Sequence, residues 1–323
     1  MEILNEISIT FANSIILGST KAKPDKKDLA LIPEIEKILD LFEISSNEGN
    51  PQRQVNSRVI DNILKSWPDN IPIFNYLTSK KHKIAFINYA ISTKDDTNKH
   101  EYIPGDFTCH EFSLQTYIQF TNNNPDLSRL SQKIAGRSLP AKYHLPIYIF
   151  SYSVGKGQGG HDTNAVLIGK DKTNLADWYF IELQTDRGIE SFEVPPRSYV
   201  SFSAPKYING DIYDYDGPHS LHFYLDSDGK AIGPITRAQG AVLLYIINLD
   251  PSEFASRILD DNETGTSYYS TKNLTDTFKL GIENKIFDID YVRKAVQAMQ
   301  ECQKKKDLEK YLLAMSSNTT TVH

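Results

Sequence analysis

Three short segments, Leu145 to Ser153, Ala165 to Lys170 and Trp178 to Gln184, are dense in Ile, Val, Phe, Tyr and Trp and are cut apart by turn-forming residues. β-Branched and aromatic side chains suit the pleated, half-buried surface of a sheet, so these segments read as successive strands. The stretch ahead of them, Cys109 to Phe120, lacks such punctuation and reads as a helix. A helix followed by a meander must bury its apolar face against the sheet it precedes. The expected fold class is therefore α+β, with that helix packed on an antiparallel sheet.

The flanks read differently. In the segment Asp28 to Glu43, the residues Ile35, Ile38, Leu39 and Phe42 fall at i, i+3, i+4 and i+7, one face of a helix, with Pro33 in its first turn. A second helix is expected from Ser57 to Trp67, stopped by Pro68. Residues 1–20 alternate weakly, as a strand would, and residues 92–100 read as a polar loop. Leu221 to Ile235 carries Asp228-Gly229 between apolar stretches and reads as a hairpin. Thr236 to Asn248 fits helix or strand, and Asp290 to Met315 reads as one long amphipathic helix. The expected organisation is a mainly helical region over 1–100, a core over 101–250 and a helical extension over 251–323.

Composition closes off several function classes. With 323 residues and 40% hydrophobic content, the chain can bury one large core or two modest ones. A net charge of −6 without a basic block argues against sequence-independent nucleic-acid binding. The run Lys304-Lys305-Lys306 reads as a solvated helix face. Two cysteines do not make a disulfide framework. The longest apolar run, Ala241 to Ile247, is far short of the roughly 20 residues that span a bilayer. The chain reads as soluble and cytoplasmic in type, and if it enters a host cell it does so without an ordinary signal peptide.

Cys109 has the most informative setting. Thr108 and Glu111 stand at capping-box spacing, which makes Thr108 the N-cap and Cys109 the first helical residue. Unpaired N–H groups and the positive end of the helix dipole surround that place. They favour a thiolate over a thiol and can donate to an oxyanion. A buried structural cysteine is the plainer alternative.

A cysteine nucleophile needs a base, and the base needs a partner to orient it. His161 follows the glycine-rich stretch Gly155 to Gly160 and opens a strand-like run, so it can lie at the rim of a cleft. On the next strand, alternation places Phe180, Glu182 and Gln184 on one face. Glu182 or Gln184 can hold the imidazole tautomer, and Asp186 is a third candidate. Gly155, Gly157 and Gly160 also match G-x-G-x-x-G, but a dinucleotide site needs a helix there, not a strand. His161-Asp162 lacks the further ligands of a metal-dependent phosphohydrolase.

Cysteine at a helix start, histidine at a strand start and a polar residue on the next strand together resemble the papain-like and transglutaminase-like cysteine hydrolases. The likeness covers roughly residues 102–194 and is nearest to the bacterial effector branch, which includes host-directed proteases and the glutamine deamidases typified by cycle-inhibiting factor. It implies a papain-like core, no cofactor, and a protein substrate, with a host ubiquitin-like protein among the candidates. The deamidases' Cys-His-Gln triad falls on Cys109, His161 and Gln184. An acidic third residue, as in the effector proteases, falls on Glu182, although Phe-Ile-Glu-Leu-Gln departs from their acidic-Pro-Asn run. An amine acceptor in place of water would make the same dyad a transglutaminase or acyltransferase. A non-catalytic adaptor is the rival from another class.

Smaller features read as structural. Asp226-Ser227-Asp228-Gly229 resembles a calcium loop but lacks its closing Glu, so a hairpin turn is expected. His219 and His222 have no metal-ligand partners at suitable spacing. Cys302 reads as inert. Tyr213, Tyr215, Phe223 and Tyr224 read as core, with a groove for a protein substrate as the alternative.

Overall fold

The computed structural model describes residues 24–42, 51–69, 71–94, 97, 100–121, 140–154, 159–182, 187–189, 193–208, 211–214, 220–260 and 269–319. Among these the fold is mixed α+β, with nine α-helices and nine strands. The strand order is β4-β3-β2-β1-β5-β8-β9 in a seven-stranded sheet, and β6-β7 form a pair of their own. The strands are β1 (Ile147–Ser153), β2 (Gly160–Leu167), β3 (Trp178–Glu182), β4 (Arg187–Ile189), β5 (Tyr199–Ser203), β6 (Lys206–Ile208), β7 (Asp211–Asp214), β8 (Leu221–Leu225) and β9 (Ala231–Ile232). The chain divides into two compact units, one of residues 1–150, 161–192 and 202–220, the other of 151–160, 193–201 and 221–323.

In the first unit, α1 (Lys26–Leu41) begins at Asp25, whose carboxylate accepts from Lys27 N and Asp28 N. The helix starts earlier than its apolar stripe suggests, so Pro33 lies inside it, not in the first turn. The carbonyl that this proline leaves without a donor belongs to Leu29, an exposed residue, where water can serve it. α2 (Pro51–Leu64) also begins ahead of its expected start at Ser57 and ends before Trp67, whose Nε1 donates to Ile71 O. α3 (Lys80–Lys94) is the element the pattern hid, and it extends into the expected loop at residue 92. It buries every residue from Ala85 to Ile91. Seven consecutive buried residues, Asn88 among them, cover every face of the helix and leave no amphipathic period, which is why spacing alone missed it. Phe86, Ile87, Tyr89 and Ala90 are fully enclosed.

α4 (Cys109–Phe120) shares one core with α1, α2 and α3 and with one face of the sheet, represented by Ile147, Ile149, Val166, Tyr179 and Ile181. β2 and β3 pair antiparallel from Asn164↔Ile181 to Leu167↔Trp178, and β3 pairs antiparallel with β4. An aromatic layer forms beside them, with Phe150 edge-on to Phe180 at 4.9 Å and Trp178 stacked on Phe202 at 3.9 Å between centroids. All three expected central strands are present. β2 begins at Gly160, ahead of the apolar run, because its first residues are polar.

In the second unit, β8 and β9 make the expected hairpin, paired Tyr224↔Ile232 and Leu225↔Ala231. Asp226 Oδ1 accepts from Asp228 N and Lys230 N, so the Asp-Ser-Asp-Gly sequence is a turn closed on itself. The ambiguous segment resolves as α5 (Arg237–Asn248), fixed by reciprocal bonds between Thr236 and Gln239. α6 (Pro251–Phe254), α7 (Thr271–Glu283), α8 (Ile289–Ala298) and α9 (Gln303–Thr319) follow. Phe254, Phe278, Val292, Val296 and Leu308 lie at the centre of their core.

The long C-terminal helix expected over Asp290 to Met315 is instead the pair α8 and α9. The buried set Val292, Val296 and Met299 continues as Lys305, Leu308 and Leu312, about two residues out of phase with one straight helix. A break at Met299 to Cys302 resets the phase. Lys305 is therefore buried and not part of a solvated face. Its Nζ donates to Met299 O and to Glu301 Oε1, at the end of α8 where carbonyls lack helical donors. The weak N-terminal strand expected over residues 1–20 lies outside the described residues. No helix among the described residues is long and apolar enough to cross a membrane.

Candidate active site

The residues just before α4 form a tight turn. Ile103 N donates to Phe107 O and Phe107 N to Ile103 O, and Asp106 N donates back to Ile103 O. Gly105 takes φ 81°, a left-handed conformation that suits glycine at this turn. Phe107 is pinned between His100, stacked at 4.6 Å, and Phe112 of α4, edge-on at 4.7 Å. The turn thus has a fixed attachment to the helix it precedes.

The capping box is present. Glu111 Oε2 accepts from Thr108 N at 2.7 Å and from Thr108 Oγ1 at 2.5 Å. Burial raises the carboxyl's titration, but the bonds from Thr108 outweigh it and hold Glu111 below the usual carboxylate range. Glu111 is thereby committed to the cap, and Cys109 occupies the first helical position as a free, half-buried thiol.

Two imidazole–carboxylate pairs stand at the start of β2. His161 Nε2 lies 2.7 Å from Glu182 Oε2, at the end of β3 beyond the last paired residues of that ladder. His110 Nδ1, on the second residue of α4, lies 2.7 Å from Asp162 Oδ2. In each case the hydrogen bond that the imidazole donates to the carboxylate is the main influence and raises the histidine's titration above its ordinary value. Burial opposes it, and neighbouring carboxylate charge adds to it. Two residues further along β2, Asn164 Nδ2 donates to Ser113 O of α4 at 2.9 Å. Asp162 and Asn164 therefore fasten the first two turns of α4 to alternate residues of β2.

The contact between His110 and Asp162 lies on the face of β2 that packs against α4. Cys109 stands on α4 beside His110, but His161 alternates with Asp162 along β2 and leaves the strand on the face opposite α4, the face it shares with Glu182 and Phe180. Of the residues singled out from sequence, His161 and Glu182 are directly bonded and Cys109 stands at its expected helix start. Gln184 and Asp186 lie outside the described residues. The sequence reading passed over His110 and Asp162 as partners. Their only signal was adjacency to Cys109 and His161, and adjacency in sequence does not report a contact between a helix and a strand.

The remaining candidates are accounted for locally. His222 Nδ1 and Tyr199 OH are 2.7 Å apart, with their rings stacked. His219 and Tyr215 lie outside the described residues, as does the side chain of Tyr213, while Phe223 and Tyr224 are core. Cys302 is free, and its Sγ accepts from Lys305 N at 3.4 Å at the start of α9. No group of three or more metal-ligating side chains occurs among the described residues. Comparison with protein-family models, with curated proteins and with solved structures finds no match to this chain.

Proposed function

We propose that this chain is a cysteine-dependent amide hydrolase acting on a protein substrate, with Cys109 as nucleophile, His161 as base and Glu182 as the residue that orients the base. The observation that carries this reading is the place of Cys109, a half-buried thiol at the first helical position of a capped α4, with the bond between His161 Nε2 and Glu182 supplying an oriented imidazole. With Nε2 turned to the carboxylate, Nδ1 is the ring nitrogen assigned to the thiol. His110 is not assigned as base. Its side chain leaves the helix about 100° around from that of Cys109, and neighbouring helical residues do not face each other.

In the proposed reaction, His161 Nδ1 takes the Cys109 proton and the thiolate adds to the amide carbonyl. N–H groups at the start of α4 donate to the oxyanion. The C–N bond breaks as His161 returns the proton to the departing amine or ammonia, leaving a thioester. Water then adds with His161 as base, releasing a carboxylic acid and restoring the thiol. Cleavage of a peptide or isopeptide bond and deamidation of a glutamine share these steps, and a papain-like core would accommodate either.

The test is alkylation of the native protein by iodoacetamide at neutral pH, with the modified cysteine located by mass spectrometry. Cys109 is expected to react well ahead of Cys302, and His161→Ala is expected to remove that lead. If Cys109 reacts only when the protein unfolds, the hydrolase reading fails and a non-catalytic adaptor takes its place.

A further inference from the structure

We infer that the groove between α8 and α9 is a docking surface for a second copy of this chain, each copy seating its Leu313 in the groove of the other and setting its Arg293 against the other's Glu309. This surface is independent of the hydrolase reading.

The groove is open, has a volume of about 320 Å³, and is lined by Arg293, Val296 and Gln297 of α8 and by Glu309, Leu312 and Leu313 of α9. Each set falls at i, i+3 and i+4, so each helix gives the groove one continuous stripe. The floor is apolar and held in place, because Val296 and Leu312 are 1% and 6% exposed and belong to the core of their unit. Leu313 stands beside that floor at 70% exposure. A lone exposed leucine is ordinary on a protein surface. Here it adjoins an apolar hollow, so one surface carries both a knob and a hole.

The charges decide the occupant. Arg293 stands on one wall and Glu309 on the other, so the lining carries one charge of each sign. Such a groove does not steer a strongly acidic or strongly basic partner. A second copy related by a two-fold axis through the groove matches it without further adjustment. The axis exchanges the two walls, which lays α8 of one copy over α9 of the other. Both Arg293 side chains then face a carboxylate, and both Leu313 side chains meet an apolar floor. A self-complementary patch of this kind is what an isologous interface requires. Arg293 Nη1 donates to Asp290 Oδ1 at 2.7 Å, a bond within α8 that sets the guanidinium on this wall. Two short helix faces lie at the low end of interface size, so the association is weak and reversible.

The experiment is sedimentation of the full chain under reducing conditions, so that neither cysteine can link copies. The parent is expected to be monomeric below about 5 μM and mainly dimeric above about 200 μM, with a dissociation constant of about 50 μM. Leu313→Asp is expected to remain monomeric throughout, with the melting curve of the parent at about 5 μM because an exposed side chain is replaced. Arg293→Glu and Glu309→Arg are each expected to weaken self-association about tenfold, since like charges then meet. An equimolar mixture of those two variants is expected to regain the parent's affinity, because the mixed contact again sets opposite charges together. A parent that stays monomeric at about 200 μM overturns the inference and leaves the groove to a foreign helix. A dimer that persists in Leu313→Asp overturns it by placing the contact elsewhere. A mixture that associates no more tightly than its two components alone overturns the two-fold pairing of Arg293 with Glu309.

Discussion

His161 and Glu182 meet at 2.7 Å where β2 and β3 have run past the end of their shared ladder. Each is at a strand end, partly shielded, at 23% and 17% side-chain exposure. The bond holds the imidazole through its Nε2 atom and ties the start of β2 to the end of β3.

That bond makes stability depend on pH in a defined direction. His161 titrates above the ordinary imidazole value of about 6.5 because Glu182 bonds its charged form. A raised folded-state titration gives a contribution that is complete below the unfolded value and is lost as pH rises through the folded one. Glu182→Gln should therefore lower the melting temperature most near pH 6, by about 2 °C for about 1 kcal/mol, with the gap closing by about pH 9. Melting curves across that range check it. A gap that widens with rising pH would contradict the pairing.

Gly160 opens β2 directly ahead of His161. A Cβ built there would lie 2.4 Å from Tyr152 O, a backbone atom that cannot swing aside. Gly160→Ala should cost about 1–3 kcal/mol in urea unfolding. It should also slow Cys109 alkylation, because the start of β2 would have to move. Wild-type stability in this variant would mean that the two strands are not so close.

Core and surface positions should separate sharply. Phe86 is fully buried in α3, whereas Leu313 of α9 is 70% exposed. Phe86→Ala should destabilise by about 3–5 kcal/mol. Leu313→Ser should stay within about 0.5 kcal/mol. Urea midpoints at constant m-value decide it, and equal effects would refute the packing of α3.

Cys109→Ala should abolish amide hydrolysis once a protein substrate is found, while Cys302→Ala should leave it unchanged. Ammonia release against peptide-bond cleavage in the same assay separates deamidation from proteolysis. Turnover by the Cys109→Ala protein would remove the nucleophile from the scheme.

Local sequence determined more of this protein than its spacing patterns alone suggest. The capping pair Thr108 and Glu111 set the start of α4, because a helix N-terminus is decided by side chains within three residues of it. The Asp226 turn and the strand identity of Ile147 to Ser153 were legible for the same reason, since turn chemistry and β-branched runs act over short range. Spacing failed where tertiary burial removed the period, as in α3, whose middle is buried on every face, and where it hid a phase slip, as between α8 and α9. Only the tertiary structure decided that His110 meets Asp162 and that His161 meets Glu182. Each of those bonds joins two elements through the packing of a helix or a neighbouring strand on β2, and no local propensity encodes which side chains that packing brings within hydrogen-bond reach.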